Sequence, residues 1–82
     1  MEVEILPPPR AAHFDQELPS LTRREMEIVQ LLCHGCSNKE IARELGISVG
    51  TVKWHITKIL ESFHVESSRQ LIVLLLEQGI IE

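Results

Sequence analysis

Three short polar motifs, each able to start an α-helix, recur between residues 18 and 82. In each motif a Ser or Thr is followed three positions later by Glu or Gln. The hydroxyl can then accept a hydrogen bond from the amide three residues on, while the longer side chain reaches back to the first amide. The motifs are Thr22–Glu25, Ser37–Glu40 and Ser67–Gln70, and Ser48 is a fourth, isolated N-cap candidate.

Helix-stop signals follow these starts at regular distances. Gly35, Gly46 and Gly79 stand where a helix would need a left-handed residue at its C-terminal end. No segment shows the alternation of a strand. The pattern predicts an all-α fold of four helices, at about 23–34, 38–45, 49–63 and 68–78.

The composition suits one small helical domain. The chain has 82 residues, of which 44% are apolar and 4% aromatic, so we expect a core of Leu, Ile and Val. No apolar run reaches the roughly 18 residues of a membrane span, and we find no signal-peptide pattern. The two cysteines are too few for a disulfide scaffold, which favours a reducing cytoplasm. An enzyme is not expected, because the sequence offers no nucleophile–base pair, carboxylate pair or phosphate loop, and no cofactor is expected.

Residues 1–17 differ from the rest of the chain. They contain Pro7, Pro8 and Pro9 and show no sustained periodicity, which indicates an N-terminal tail or the remnant of an interdomain linker. A short extra helix over residues 10–17 is the alternative. The main domain is therefore expected at 18–82.

The second and third predicted helices form a helix-turn-helix. Helix two places Ile41, Ala42 and Leu45 on one face, and only residues 46–48 separate it from helix three. A tight, glycine-bearing turn between two short amphipathic helices is typical of this motif.

Helix three has two contrasting faces at 100° per residue. An apolar arc predicts a core face formed by Val49, Val52, Ile56, Ile59, Leu60 and Phe63. The opposite side carries Gly50, Thr51, Lys53, Trp54, Thr57, Lys58 and Glu61. Trp54 lies almost opposite the apolar arc, where an indole could contact thymine methyl groups in the major groove of DNA. The alternative is that Trp54 packs under the N-terminal tail.

The polar side chains around Trp54 suit contacts with duplex DNA. Lys53 can reach guanine acceptors or a phosphate, and Thr57 is short enough for a close contact. His55 and Lys58 flank the strip and are expected at phosphates. On helix two the backbone candidates are Asn38, Lys39 and Arg43, the first two lying in a first turn whose amides favour a phosphate.

The overall charge gives little attraction to DNA. The net charge is −4, residues 1–17 contribute −3 of it, and the remaining residues are nearly neutral. Binding must therefore depend on locally placed cations, and a second copy would double the contacts.

The fourth helix carries an unbroken apolar run from Leu71 to Leu76. This run is wider than one buried stripe requires, so we expect a symmetric homodimer with Leu71, Leu74 and Leu75 at its interface. The alternative is that residues 79–81 fold back and cover the run.

The segments Leu21–Glu25, Gly35–Ala42 and Leu45–His55, followed by Ile59, together resemble the LuxR/FixJ-type helix-turn-helix domain of bacterial transcription regulators. The resemblance covers about two thirds of the chain. It implies that helix three reads DNA and helix four dimerises, with double-stranded DNA as the ligand, RNA polymerase as a further partner and a bacterial cytoplasm as the location. The resemblance implies that Lys53, Trp54 and Thr57 occupy the positions that read bases in the family. It implies that Lys39, Thr51 and His55 occupy positions that contact the DNA backbone. Ser62-Phe63 departs from the usual Lys-Leu, which removes one expected phosphate contact.

Three other interpretations remain open. Residues 47–53 also resemble region four of bacterial sigma factors. A helical protein-interaction module could use Trp54 and the apolar run of helix four without binding DNA. The spacing of Cys33 and Cys36 matches redox and zinc motifs, but the pair lies at a helix C-terminus, where the dipole disfavours a thiolate, and no metal is expected.

Overall fold

The computed structural model describes residues 18–81, and this part of the chain forms four α-helices and no strand. The helices are α1 (Arg23–Cys33), α2 (Asn38–Leu45), α3 (Val49–Phe63) and α4 (Ser68–Glu77). The predicted all-α class is confirmed, and the predicted helix bounds differ from these only by one residue at the C-terminal ends of α1 and α4. The tail and its alternative helix lie outside the described residues.

Two of the predicted capping boxes form as expected. At α1 the Thr22 hydroxyl accepts from the Glu25 amide at 3.1 Å, and the Thr22 amide donates to the Glu25 carboxylate at 2.9 Å. At α2 the corresponding distances between Ser37 and Glu40 are 3.1 and 2.8 Å. Each box satisfies two amides that have no acceptor inside the helix, and so defines where the helix begins.

The third predicted capping box forms only in part, because the hydrogen bond from the Ser67 amide to the Gln70 side chain is replaced by another. The Ser67 hydroxyl accepts from the Gln70 amide at 3.2 Å, as an N-cap should. The Gln70 side-chain oxygen, however, accepts from the Glu66 amide at 2.7 Å and not from the amide of Ser67. The glutamine therefore ties down the residue before the cap and orders the approach to α4.

All four helices end in the same way. A residue with positive φ follows the last turn, and the amide of the next residue donates to the carbonyl five positions earlier. The left-handed residues are Gly35, Gly46, His64 and Gly79, and the amides that follow them belong to Cys36, Ile47, Val65 and Ile80, at 2.9–3.1 Å from their acceptors. Each of these four following side chains is half-buried against the core, so every helix is closed by an apolar contact.

The core consists of two clusters that share α3. The first contains Val29, Ile59, Phe63, Leu71, Leu74, Leu75 and Ile81, and the second contains Ile28, Ile41, Ala42, Val52 and Ile56. Leu60 packs against both. The N-terminal half of α3 is therefore held by α1 and α2, and its C-terminal half by α1 and α4. Among the described residues α2 and α4 do not contact each other.

The structure corrects the residues predicted for a dimer interface. Leu71, Leu74 and Leu75 are 0%, 6% and 0% exposed and belong to the core of the domain itself. Ile81 folds back onto the same cluster, as the alternative expected, and Ile80 packs beside it. The apolar side chains of α4 that remain exposed are Val73 and Leu76, with Ile72 half-buried next to them. We call Ile72, Val73 and Leu76 the outer face of α4.

Candidate nucleic-acid interface

The turn between α2 and α3 sets the direction in which α3 leaves the domain. Gly46 adopts φ 70°, ψ 33° and the amide of Ile47 donates back to Ala42 at 3.0 Å. Ser48 then caps α3, because its hydroxyl oxygen accepts from the Thr51 amide at 3.0 Å. The turn is thus closed at both ends by local hydrogen bonds, which is how three residues can hold two helices at a defined angle.

One face of α3 is buried, as the periodicity predicted. Val52, Ile56, Ile59 and Phe63 are at most 8% exposed. Val49, which was expected in this arc, is 36% exposed, whereas Val52 in the same turn is fully buried. The prediction of a core position for Val49 is wrong.

The opposite face of α3 is open along most of its length. Its exposed residues, which we call the outward strip, are Thr51, Lys53, Trp54, Thr57, Lys58 and Glu61. Trp54 is 57% exposed, the most of any large hydrophobic residue in the described part of the chain. The alternative that the tail covers Trp54 depends on residues outside that part. This strip combines two cations, two hydroxyls, a carboxylate and an apolar ring on one face of the helix.

Trp54 is the centre of a small side-chain cluster. The ammonium nitrogen of Lys58 lies 5.8 Å from the centroid of the indole, within range of a cation–π interaction. The His55 ring meets the indole edge to face, with centroids 5.1 Å apart and planes at 71°. His55 is half-buried, whereas Lys58 is exposed. The structure thus brings together one predicted base-reading residue and two predicted backbone residues.

The candidates on α2 lie on the exposed side of that helix. Lys39 and Arg43, four positions apart, are exposed, and Asn38 is half-buried. The amides of Asn38 and Lys39 belong to the first turn and have no acceptor within the helix. The Glu40 carboxylate is held at the same end by the Ser37 amide, so it adds a negative charge close to this turn. Lys39 and Arg43 therefore supply the positive charge on this helix.

Two features of the strip were missed in the sequence. The Thr51 hydroxyl shares a hydrogen bond of 2.9 Å with the Ser48 hydroxyl, so Thr51 is held in place before any ligand arrives. The contact of Lys58 with Trp54 was also not foreseen. Both pairs were visible as spacings of three and four residues on one helix face, which bring side chains together.

The two cysteines are free and half-buried, and they belong to different parts of the core. Cys33 packs against the first cluster, whereas Cys36 follows the left-handed Gly35 and packs against the second. Within residues 18–81 no three His, Cys, Asp or Glu side chains are grouped so that they could hold a metal ion. None of the helices described is both long and apolar enough for a bilayer crossing.

Comparison with known proteins identifies the family. The model of the luxR family of bacterial regulatory proteins matches residues 19–75. The chain is 46% identical over 67 residues to a nitrate/nitrite response regulator homologue of Haemophilus influenzae, an alignment covering 82% of this chain and 32% of the relative. It is 51% identical over 51 residues to the transcriptional regulatory protein LiaR of Bacillus subtilis, covering 62% of this chain and 24% of LiaR.

A solved structure shows the same fold. The response regulator ChrA of a heme-sensing two-component system superposes with a TM-score of 0.73 at 32% identity, over 88% of this chain and 37% of ChrA. The chain spans about a third or less of the length of these relatives. The family match favours the LuxR-type interpretation over sigma region four. By its matched residues and its four-helix fold, the chain belongs to the luxR family of bacterial regulatory proteins, which are DNA-binding transcription regulators.

Proposed function

We propose that this domain binds double-stranded DNA by inserting α3 into the major groove, with Lys53, Trp54 and Thr57 facing base edges. The observation that carries the proposal is the outward strip, which is exposed along the face of α3 opposite the core. An α-helix fits the width of the major groove, and the helix that follows the turn is the one that enters it. Such a regulator acts in the bacterial cytoplasm, and RNA polymerase is a further partner.

The backbone contacts follow from the placement of the other exposed groups. Lys39, Arg43 and the first-turn amides of α2 face the phosphates beside the groove, and Thr51, His55 and Lys58 face them along α3. Residues 18–81 carry equal numbers of basic and acidic side chains. Affinity therefore depends on where these cations lie, because the domain as a whole attracts DNA only weakly.

Dimerisation would double these contacts. The outer face of α4 supports this proposal, because Val73 and Leu76 are 48% and 44% exposed on a helix whose other apolar residues are largely buried. A symmetric pair of copies meeting at this face would place two α3 helices on half-sites about one helical turn apart. The interface is thus assigned to Ile72, Val73 and Leu76 instead of the three buried leucines.

A comparison of three variants tests the assignment of roles. Lys53→Ala and Trp54→Ala should each weaken binding to a selected duplex by about 1–3 kcal/mol and relax base preference. Lys39→Ala should weaken all duplexes alike and lower the slope of log affinity against log salt by about 1. Fluorescence anisotropy titrations over a salt series measure both effects.

The same titrations can contradict the proposal. If Lys53→Ala and Trp54→Ala both bind as tightly as the wild type, α3 does not contact the DNA bases. If the folded wild-type chain binds no duplex selected from a random pool, DNA is not its ligand, and a protein partner for Trp54 becomes the better explanation.

A further inference from the structure

The unusual feature of the outward strip is an exposed apolar ring with a cation over one face. Trp54 exposes more than half of its surface, yet one face of the indole lies under the Lys58 ammonium, 5.8 Å from the centroid. The His55 ring restricts it from a second direction, at 5.1 Å and 71°. An exposed tryptophan without neighbours could adopt several rotamers, whereas this one has two contacts that favour a single orientation.

The chemistry of the ring limits what it can recognise in the groove. An indole offers an apolar surface and one N–H donor, and no acceptor. Of the groups that bases present in the major groove, the 5-methyl group of thymine is the apolar one. Trp54 is 57% exposed, so part of the indole surface remains open to such a methyl group.

We propose that Trp54 recognises a thymine 5-methyl group and that Lys58 is a positioning residue that holds the indole for this contact. The inference rests on the proposed function, since it takes α3 to lie in the major groove. It gives Lys58 a role in addition to the phosphate contact proposed above. A phosphate contact would strengthen binding to every duplex, whereas a positioning residue changes the preference for one base.

The experiment uses the whole 82-residue chain and replaces thymine by deoxyuridine, which lacks only the methyl group. A binding duplex is first selected from a random pool, and each thymine is then replaced singly. At one position per half-site the wild-type chain should lose about fourfold in affinity, the effect of burying about one methyl group. Trp54→Ala should bind the thymine and uracil duplexes equally.

Variants of Lys58 test the positioning role. Lys58→Met removes the charge, keeps an unbranched helix-forming side chain, and should reduce the fourfold preference to less than twofold. Lys58→Arg should keep the fourfold preference for thymine over uracil, because a guanidinium also stacks on an aromatic face. The matched control is Lys39→Met, which removes the same charge from α2 and should weaken both duplexes equally while leaving the fourfold ratio intact. Circular dichroism checks that each variant is folded.

The outcomes separate this inference from the proposed function. If Lys58→Met keeps the fourfold ratio, Lys58 does not position the indole. If no uracil replacement weakens wild-type binding, or if the selected site contains no thymine, the methyl contact is refuted while DNA binding stands. If the folded chain selects no duplex at all, the proposed function itself fails.

Discussion

At the scale of the residue, Gly50 is exposed at the start of α3, where the fold leaves room for a side chain. It lies in the first turn with ordinary helical backbone, and an added Cβ would meet only the Ser48 hydroxyl oxygen at 3.8 Å. We expect Gly50→Ala to raise the free energy of unfolding by about 0.5–1 kcal/mol, since alanine loses less backbone entropy in a helix. The new methyl group would stand between α3 and the duplex, so DNA affinity should fall. Thermal unfolding and anisotropy titration measure the two effects.

Gly46→Ala is the control for this prediction. Gly46 also has open space where a Cβ would lie, but its φ of 70° is left-handed, so alanine should cost roughly 1–2 kcal/mol of stability. The changes in the free energy of unfolding should therefore have opposite signs for Gly50→Ala and Gly46→Ala, because the two glycines differ in backbone conformation and not in the space around them. If Gly50→Ala binds DNA as tightly as the wild type, the first turn of α3 does not approach the duplex closely.

At the scale of the element, the N-terminus of α3 depends on Ser48. Its hydroxyl accepts from the Thr51 amide at 3.0 Å and also bonds the Thr51 hydroxyl at 2.9 Å. Ser48→Ala should therefore lower the free energy of unfolding by about 1 kcal/mol and loosen the first turn of α3. Chemical denaturation monitored by circular dichroism gives the change in stability.

The companion variant separates capping from DNA binding. Ser48→Asp keeps an N-cap acceptor and places a negative charge at the favourable end of the helix dipole, so stability should be retained. In the proposed complex the first turn of α3 lies close to the duplex, so this carboxylate would repel the phosphates and binding should weaken, most strongly at low salt. Wild-type affinity in Ser48→Asp would show that this end of α3 lies away from the duplex.

At the scale of the whole molecule, substitutions on the two sides of α4 should have different effects. On the inner side they should lower stability, and on the outer side they should prevent dimerisation. Leu74 is 6% exposed within the first cluster, so Leu74→Ala should cost about 2–5 kcal/mol, a large share of the stability of so small a domain. Leu76→Lys changes an exposed residue on the outer face and should leave the helical content unchanged. It should instead give a monomer that binds a two-half-site duplex more weakly, as measured by sedimentation equilibrium and anisotropy.

A single half-site provides the control for the dimer. Leu76→Lys and the wild type should bind one half-site equally, since α3 is untouched. If the wild type binds a two-half-site duplex as one copy, or if Leu76→Lys dimerises normally, the outer face of α4 is not the interface.

Local chemistry explains which parts of the fold could be predicted. The boxes at Thr22 and Ser37, the cap at Ser48 and the left-handed glycines each act within five residues, so their positions in the chain define the helix bounds. The two faces of α3 were also predictable, because its apolar residues repeat with the helical period. The left-handed conformation of His64 at the end of α3 was not predictable. The one sequence signal for it is Val65, the apolar residue that follows.

The sequence by itself therefore determined four helices, their N-caps, the three C-terminal ends marked by glycine, and the exposed strip of α3, because hydrogen bonds within a turn and helical periodicity are short-range properties. The tertiary structure alone decided which side of α4 is buried. Residues 71–76 are all apolar and carry no period, so only packing in the cluster with Val29, Ile59, Phe63 and Ile81 selects Leu71, Leu74 and Leu75 as the inner side. The structure also decided that Lys58 lies over Trp54. A spacing of four residues allows this contact, but it does not determine the rotamers of the two side chains.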